Sequence, residues 1–392
     1  MPKVLRIINR FNLGGPTYNA AYLTKYISSE YDTLLIGGSP AAGEAHSGFI
    51  LDHLNVPYIE IPEMSRSINP LNDLKAFRKI RRIIRETKPD IVHTHAAKAG
   101  ALGRLAARME KVPVIVHTYH GHVFSNYFSA WKSWIARMIE RNLARLSSAI
   151  VVISKKQREE IVDQYTICSD SKAHVIPLGF DLSKFGIDME KKRRAFRDKY
   201  ALDDTTVAIG IIGRFAPVKN HILFFESLKE LSGRSKNWVA FVIGDGELNS
   251  SLQQKVKELE LNVAGDSSGK VIFTSWIQQI DEAMAGLDIV ALTSLNEGTP
   301  VSLIEAQASG KPIVTTNVGG VQDCMLENQS GYITRNSKES VSASLFELIS
   351  DAGLRKKMGE SGREFVLNKF NYTRLVSDMK ALYDNLLESK KV

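Results

Sequence analysis

The sequence predicts an α/β protein with two doubly wound, Rossmann-like domains, each a parallel sheet covered by crossover helices. The 392 residues exceed one ordinary hydrophobic core, and about one domain per 150 residues predicts two or three. Short β-branched runs alternate with helix-length amphipathic segments, and this alternation stops once and then starts afresh. The hydrophobic content of 44% and charged content of 24% are globular values, which exclude disordered and collagenous chains.

The predicted strands are short and end in glycine, polar or charged residues. In the first half they are Val4–Ile8, Thr33–Ile36, Ile91–Thr94, Val114–Thr118 and Ala149–Ile153. In the second half they are Val207–Ile212, Val239–Ile243, Val271–Phe273, Ile289–Leu292 and Ile313–Thr315.

Proline and glycine interrupt the alternation between Val175 and Phe185, with the sequence VIPLGFDLSKF. This predicts an amino-terminal domain over 1–175, a linker over 176–185 and a carboxy-terminal domain over 186–371. Apolar residues at helical spacing from Tyr372 to Leu387 predict a last helix, within 372–392, that packs back on the first domain. Ligands of such sheets bind where strands end, so the cleft between the domains is the expected site.

The two cysteines, Cys168 and Cys324, are far apart in sequence, which excludes a disulfide framework, a Cys-x-x-Cys redox pair and a cysteine-rich zinc site. A reducing, cytoplasmic compartment is expected. The first ten residues lack a signal-peptide apolar region, and no apolar run reaches the length of a membrane span. Neither secretion nor membrane spanning is therefore expected.

The segment Ser294 to Gly310, SLNEGTPVSLIEAQASG, predicts a tight loop followed by a short helix. Thr299 suits the N-cap, Pro300 the first helical position and Gly310 the position after the helix, so a helix from Pro300 to about Ser309 is predicted. The unsatisfied N–H groups at its start could receive an anion such as a diphosphate.

Two carboxylates flank this helix start, Glu297 in the loop and Glu305 in the second helical turn. Carboxylates would repel a phosphate but accept hydrogen bonds strongly, so sugar and ribose hydroxyls are the predicted partners. The alternative is that Glu297 is a turn residue and Glu305 a solvated helix residue.

A second loop, GRFAPVKN, follows the strand over 207–212 and contains Gly213, Arg214 and Lys219. Basic side chains there could neutralise a diphosphate and stabilise it as a leaving group. The alternative is a solvated basic turn. Neither G-x-G-x-x-G nor the P-loop pattern occurs, so the usual dinucleotide and P-loop sites are not predicted.

The first half offers glycines and histidines after its strands. Gly14-Gly15-Pro16 follows the first strand and would allow backbone to approach a ligand closely. Histidines cluster around the next strands, but they lack the neighbouring carboxylate or cysteine of metal sites, so no metal is expected. We favour the interpretation that one histidine hydrogen-bonds a ligand in the cleft. The five histidines are His93, His95, His117, His120 and His122.

Residues 66–145 contain sixteen basic and five acidic residues, which predicts an anionic partner. Two stripes in this range, over 75–88 and from Phe124 to Leu146, have helical spacing. They fit crossover helices with a solvated basic face. Alternatively, strengthened by Trp131 and Trp134, they form a surface that binds anionic membranes. No nucleic-acid-binding module is recognisable, and nucleic acid is not an expected partner.

Several motifs occur in a fixed order along nearly the whole chain, and together they resemble the family-four retaining glycosyltransferases of GT-B fold. They are Gly14-Gly15, HTYHGH over 117–122, VIPLGFDLSKF over 175–185, GRFAPVK over 213–219, GDGE over 244–247 and E-G-T-P at 297–300 with a second glutamate eight positions after the first.

This resemblance implies two Rossmann-like domains facing a central cleft and transfer of a sugar from a nucleotide-sugar donor, with retention at the anomeric carbon and without a metal or other cofactor. The resemblance implies that Arg214 and Lys219 bind the diphosphate, that Glu297 and His120 bind the sugar, and that Glu305 binds the ribose. It also implies a glycine loop at Gly15 and base contacts near Trp276 and Ile277. The backbone of four further residues is implied to contact sugar and phosphate, namely Gly298, Thr299, Pro300 and Val301. Two departures from the family pattern are Asn220, where glycine is usual, and Thr274-Ser275, where Leu-Gly is usual.

The stretch from Arg66 through Lys98-Ala99-Gly100 is similar to that of bacterial polysaccharide-assembly members, whose acceptors are often polyprenyl-diphosphate-linked sugars. A UDP-linked donor, a glycan or lipid-linked acceptor, and a location at the inner face of the plasma membrane are expected on that basis. No carboxylate near Gly14 or His120 suggests a nucleophile, which favours front-face transfer over double displacement. The alternatives are a sugar-nucleotide epimerase or hydrolase of this fold, and a non-enzymatic basic module that binds membranes or nucleic acid.

Overall fold

A computed structural model describes residues 1–12, 15–27, 29–40, 46–65, 67, 69–121, 130–261 and 269–390. The chain forms two compact units, one of residues 1–180 with 370–392 and one of residues 181–369. The passage from Phe180 to Asp181 falls inside the linker predicted over 176–185. None of the helices in the described ranges is long and apolar enough to cross a membrane.

The first unit contains a parallel sheet with seven strands in its described part, in the order β3-β2-β1-β4-β5-β6-β7. The five predicted strands are all present, whereas β3 and β7 were not predicted. Each of these has three residues, none of them fully buried, so neither produces the apolar run that identifies a parallel strand. The strands are β1 Lys3–Arg10, β2 Asp32–Gly38, β3 Tyr58–Glu60, β4 Ile91–His95, β5 Val114–Tyr119, β6 Ala149–Val152 and β7 Ala173–Val175.

Helices cover the first sheet as its crossover connections. They are α1 Gly15–Tyr26, α2 Gly48–His53, α3 Pro70–Thr87, α4 Ala97–Met109, α5 Ala130–Leu146 and α6 Lys155–Glu159, which continues into a π-helical turn, Glu160–Gln164.

The last helix belongs to the first unit. Leu375, Met379 and Leu382 are buried in one core with Val4 of β1 and Leu23 of α1. This apolar stripe is the one that the helical spacing predicted, and its burial holds the carboxy-terminal segment on the first sheet. This helix is α14, Tyr372–Glu388, the last helix of the chain.

The second unit contains a parallel sheet with six strands in its described part, in the order β10-β9-β8-β11-β12-β13. The five predicted strands are present within one or two residues, and β13 was not predicted. The strands are β8 Val207–Ile212, β9 Trp238–Ile243, β10 Lys270–Ser275, β11 Ile289–Leu292, β12 Ile313–Thr316 and β13 Gly331–Thr334, and the helices are α7 Met189–Lys199, α8 His221–Ser232, α9 Asn249–Glu258, α10 Ile280–Gly286, α11 Val301–Ala308, α12 Lys338–Ser350 and α13 Ala352–Phe370.

The strand order of the second unit reverses between β8 and β11. The chain runs outward from β8 to β9 and β10, then returns to the other side of β8 with β11, β12 and β13. In doubly wound sheets the loops that leave the two central strands diverge at this point and create a crevice for a ligand. The loops after β8 and β11 are therefore where a ligand site is expected in this unit.

Candidate functional site

The loops after β8 and β11 are joined to each other by hydrogen bonds. The Leu295 N–H donates to the Val218 carbonyl at 2.8 Å, and Thr293 Oγ1 donates to the Asn220 carbonyl at 3.0 Å. These bonds fix the loop after β8, which contains Lys219, against the loop after β11, which contains Glu297. Two separate sequence motifs thus form one site at the carboxyl edge of the sheet.

Lys219 and Glu297 meet directly. Lys219 Nζ lies 2.6 Å from Glu297 Oε1, and Ser294 Oγ donates to the same oxygen at 2.6 Å. The side chains retain 25% and 11% of their exposure, so the pair is shielded but open on one side. An ammonium has three donors, so Lys219 can keep Glu297 and still bind an anion. Within the described residues both bonds go to Oε1, which leaves Oε2 of Glu297 for a further donor.

Two consecutive glycines after β12 form a wall behind Glu297. The Gly320 N–H donates to the Glu297 carbonyl at 3.1 Å. A Cβ on Gly319 would lie 1.7 Å from the Glu297 carbonyl oxygen, and one on Gly320 would lie 2.1 Å from the Gly298 carbonyl oxygen. Sequence reasoning missed these glycines, although a Gly-Gly pair in the loop after a strand is a signal of close backbone approach.

Helix α11 begins at Val301, one residue later than predicted. Pro300 occupies the N-cap with an extended ψ of 96° and no side-chain cap hydrogen bond, so the prediction that Thr299 caps the helix is wrong. The physical reason is that Pro300 itself is not helical, which moves the cap to a residue without a side-chain acceptor. The first N–H groups of α11 therefore receive no side-chain cap and remain suited to an anion.

The predicted end of α11 is confirmed. Gly310 has a left-handed φ of +70°. Its N–H donates to the Gln307 carbonyl, and the Lys311 N–H donates to the Ala306 carbonyl. This is the Schellman arrangement that a glycine after a helix favours.

Glu305 lies in the second turn of α11, as predicted, and it is partly buried. Burial raises the pKa of its carboxyl group to about 7, Lys184 opposes the rise, and Asp281 adds to it. The alternative of a fully solvated helix residue does not hold. A carboxyl group that is costly to ionise is suited to hydrogen bonding with a polar ligand.

Arg214 lies in the same loop as Lys219, but its side chain is directed elsewhere. It is 67% exposed, and its Nη2 lies 3.6 Å from Glu247 Oε1. The loop itself is fixed, since the Phe215 N–H donates to the Asp245 carbonyl at 2.9 Å. The structure thus brings Lys219 and Glu297 together, while the guanidinium of Arg214 is solvated beside the GDGE turn.

Trp276 and Ile277 directly follow β10. Trp276 is 57% exposed, and Ile277 is partly buried. Ser275, which precedes them, has a left-handed φ of +58°, and Asn220 has one of +49°. These are the two positions where the resembled family usually has glycine, and the left-handed backbone is the physical reason for that preference.

In the first unit, Gly15 opens α1, where a Cβ would meet only Leu178 at an ordinary 3.7 Å. His120 follows β5 and is partly exposed. His93, His95 and His117 are fully buried instead, and burial holds their pKa values well below the usual range. Gly14 and His122 lie outside the described residues. No group of three or more potential metal ligands occurs in the described part of the chain.

The two basic stripes, on α3 and α5, differ in their ion pairs and in how much apolar surface they expose. In α3, Lys79 pairs with Glu63, and Arg81 and Arg85 both pair with Glu110. Three of the six basic side chains of α3 are thus paired with two carboxylates from outside the helix, as fits a crossover helix. In α5 large apolar side chains are exposed instead, namely Trp131 at 62%, Trp134 at 55%, Met138 at 42% and Ile139 at 48%. Arg66, Phe124 and Phe128 lie outside the described residues.

Both halves of the chain match known protein families. Residues 14–184 match the family model described as Glycosyltransferase Family 4, and residues 192–365 match the model described as Glycosyl transferases group 1. Together the two matches cover most of the chain and divide it close to the boundary between the two compact units.

Two relatives are similar over most of their length. A UDP-Gal:alpha-D-GlcNAc-diphosphoundecaprenol alpha-1,3-galactosyltransferase of Escherichia coli is 28% identical over 88% of this chain and 88% of its own. The capsular polysaccharide biosynthesis glycosyltransferase CapM of Staphylococcus aureus is 25% identical over 84% of this chain and 85% of its own.

Among solved structures, Alr3699/HepE of Anabaena, crystallised in complex with UDP, matches with a TM-score of 0.83 and 18% identity. The match covers 98% of this chain and 100% of that one. At this identity the likeness shows the fold, which is the predicted GT-B architecture of two Rossmann-like domains.

Proposed function

Because this chain belongs to the glycosyltransferases, with a family-four amino-terminal half and a group-one carboxy-terminal half, we propose that it transfers a sugar from a UDP-linked donor to a glycan or lipid-linked saccharide. The single observation that carries this proposal is the 2.6 Å contact between Lys219 and Glu297 at the point where the second sheet reverses its strand order. A cation and a hydroxyl acceptor side by side match the diphosphate and sugar of such a donor.

The donor site would use each part of this edge for one group of the donor. Lys219 binds the diphosphate with its remaining N–H donors, and the uncapped start of α11 supplies backbone N–H groups from Val301 onward. Oε2 of Glu297 accepts from sugar hydroxyls, and Glu305 hydrogen-bonds the ribose. Trp276 and Ile277 offer an apolar surface to the base.

Arg214 has a conditional role in this proposal. Its exposed side chain is separated from Glu247 by 3.6 Å, a weak pair that a diphosphate can replace. A long, mobile guanidinium that binds both phosphates would increase the stabilisation of charge as the leaving group departs.

The transfer step is front-face substitution. The bond from the anomeric carbon to the diphosphate breaks, and the acceptor oxygen bonds to the same face of that carbon, so the configuration is retained. The proton of the acceptor hydroxyl passes to the leaving diphosphate, while Lys219 and Arg214 stabilise the negative charge on it. His120 would hydrogen-bond the donor sugar and Gly15 would lie in the loop beside the phosphates, with no metal ion required.

The identity of the acceptor is supported by fewer observations than that of the donor. The names of the two relatives refer to an undecaprenol-linked sugar and to capsular polysaccharide, and they support a lipid-linked acceptor in cell-surface polysaccharide synthesis. Such an acceptor lies in a membrane, and we propose that the protein works at the inner face of the plasma membrane. The exposed tryptophans of α5 in the first unit support that location.

The test is transfer from UDP-galactose or UDP-glucose to a GlcNAc-diphospho-lipid, by wild type and by Lys219→Ala, Glu297→Ala and Arg214→Ala. Loss of one donor to a developing charge costs a factor of about 10²–10³ in turnover, which is the expected effect at Lys219. Glu297→Ala removes an acceptor of sugar hydroxyls and the partner of Lys219, so it should lower turnover as well. Lys229→Ala, which breaks an exposed pair with Glu260 in the same unit, is the matched control. Wild-type turnover by all three variants would contradict the assignment. Product analysis separates transfer from epimerisation or hydrolysis, which change the donor without an acceptor.

A further inference from the structure

His95 and His120 form a direct contact between two imidazole rings. His95 Nδ1 lies 2.9 Å from His120 Nε2, and the two rings meet edge to edge, with centroids 5.1 Å apart and an angle of 28° between their planes. The other nitrogen of each ring, His95 Nε2 and His120 Nδ1, is shielded from solvent and has no hydrogen-bond partner. The contact is thus the only polar interaction that fixes either ring among the described residues.

Both rings are neutral at physiological pH. Burial lowers the pKa of His120 to about 4 and holds that of His95 well below its usual range, with His93 and Arg6 adding to the effect at His95. A neutral imidazole has one N–H and one lone pair, so a hydrogen bond between two such rings has two possible forms. Either His95 Nδ1–H donates to His120 Nε2, or His120 Nε2–H donates to His95 Nδ1.

The two forms differ in which N–H is left without an acceptor. If His95 donates, the unpaired N–H is on Nδ1 of His120, in the loop after β5, where the residue is partly exposed. If His120 donates, the unpaired N–H is on Nε2 of His95, a residue with 0% exposure on β4, between β1 and β5. Both nitrogens are shielded from solvent, so in either form one buried N–H lacks a partner, which is costly. Of the two residues only His120 keeps exposed surface, so the form that leaves its N–H unpaired is the one that a ligand can satisfy.

The ring of His95 is firmly held from behind. It stacks on His93 with centroids 4.3 Å apart. His93 is fixed in turn by Tyr383 Oη at 2.6 Å from its Nδ1 and by Thr118 Oγ1 at 2.7 Å from its Nε2. The terminal helix α14 therefore contributes, through Tyr383, to the support of the ring that contacts His120.

We propose that His95 is a positioning residue that fixes the tautomer of His120, so that His120 presents an Nδ1–H donor to a hydroxyl of the donor sugar. This inference rests on the proposed function, because that function supplies the hydroxyl. It assigns a task to the buried histidine at the end of β4, which has no contact with substrate in that proposal.

The first test needs no substrate. In protein labelled with 15N at histidine, long-range proton–nitrogen spectra distinguish a protonated ring nitrogen from an unprotonated one. In the wild type we expect His120 to be protonated at Nδ1 and His95 also at Nδ1. His95→Phe keeps a ring for stacking but removes the donor, and His120 should then lose its exclusive Nδ1–H form. His95→Asn, whose amide N–H takes the place of Nδ1–H, should restore it.

The second test separates positioning from general damage. Binding of UDP should be the same in His95→Phe as in the wild type, whereas transfer from UDP-galactose should fall about tenfold, the worth of one well-placed hydrogen bond. His117→Phe is the matched control, since His117 is equally buried and bonds Thr94, not His120. It should leave both the tautomer of His120 and the transfer rate unchanged.

The outcomes are distinguishable. Protonation of His120 at Nε2 in the wild type, or a His95→Phe variant with an unchanged tautomer or wild-type transfer, overturns the role of His95. An equal loss of UDP binding and transfer in His95→Phe also overturns it, because that pattern indicates a structural defect. A wild type that binds no UDP and transfers no sugar contradicts the proposed function instead, while the spectra still report the tautomer.

Discussion

At the scale of single residues, the candidate site contains one carboxylate that is paired with a cation and one whose ionisation is disfavoured by burial. Glu297 gains a cation and a hydroxyl donor from neighbouring loops, so its ionised form is well supported. Among the residues that the structure describes, Glu305 has no such partner within hydrogen-bond distance, and burial raises its pKa to about 7. Two glutamates eight positions apart thus have opposite environments, which their sequence motif alone did not reveal.

The pH dependence of Glu305→Gln follows from that difference. The folded-state pKa lies above the unfolded value near 4.5, so the folded protein binds the extra proton and loses stability as pH rises from about 4.5 through 7. A neutral glutamine avoids this loss. Thermal unfolding should therefore show a higher Tm for the variant than for the wild type at pH 8, and similar values at pH 5.

The same substitution should weaken UDP binding if Glu305 contacts the ribose, because an amide accepts hydrogen bonds less strongly than a carboxylate. Calorimetric titration with UDP at pH 8 measures this. Glu339→Gln, an exposed glutamate early in α12, is the control and should change neither quantity. A Tm of Glu305→Gln that follows the wild type at every pH would show that the carboxyl group is not desolvated.

At the scale of elements, the alternation of apolar runs and helix-length segments predicted the buried strands of each sheet. It did not predict the short edge strands or the contacts between loops. The runs over 207–212 and 289–292 were predicted with their observed bounds because all their residues are buried. The edge strands β3 and β7 carry no such run. The partners of Glu297 could not be predicted, because they come from three loops whose proximity depends on strand order.

The glycine wall behind Glu297 yields a prediction for Gly320→Ala. The φ of Gly320 is −88°, which alanine adopts easily, so the effect comes only from the Cβ that would lie 2.1 Å from the Gly298 carbonyl oxygen. Backbone must shift to relieve this contact, at a cost of about 1–3 kcal/mol in the free energy of unfolding. The turn at Glu297 and Gly298 would move with it.

Denaturant unfolding and UDP-sugar kinetics measure the two consequences of Gly320→Ala separately. We expect a clear loss of transfer because the displaced turn contains Glu297. Gly233→Ala is the matched control, since a Cβ there meets its nearest atom only at 3.4 Å. Transfer by Gly320→Ala at the wild-type rate would mean that the wall does not position Glu297.

At the scale of the whole molecule, the charge of +8 has two different uses in the two units. In the second unit, Lys219 is held beside Glu297, and we propose that its charge serves one ligand, the donor diphosphate. In the first unit, three basic side chains of α3 are paired with Glu63 and Glu110, so the basic excess by itself is a poor argument for a membrane surface. The better argument is the combination of exposed tryptophans with basic side chains on α5.

Membrane binding should therefore depend on the tryptophans of α5. Trp131 and Trp134 are three residues apart on one helix and are 62% and 55% exposed, which suits insertion at the boundary between lipid headgroups and acyl chains. The double variant Trp131→Ser with Trp134→Ser should lose most of its sedimentation with vesicles of anionic phospholipid at physiological salt. Trp276→Ser removes a tryptophan of similar exposure, 57%, from the second unit and should sediment like the wild type.

Higher salt should weaken the wild-type interaction without abolishing it, because screening affects the basic side chains and not the buried apolar area. If the wild type fails to sediment with any anionic composition, the basic face of the first unit is only a solvated surface, and a lipid-linked acceptor would have to reach the enzyme without a docked membrane.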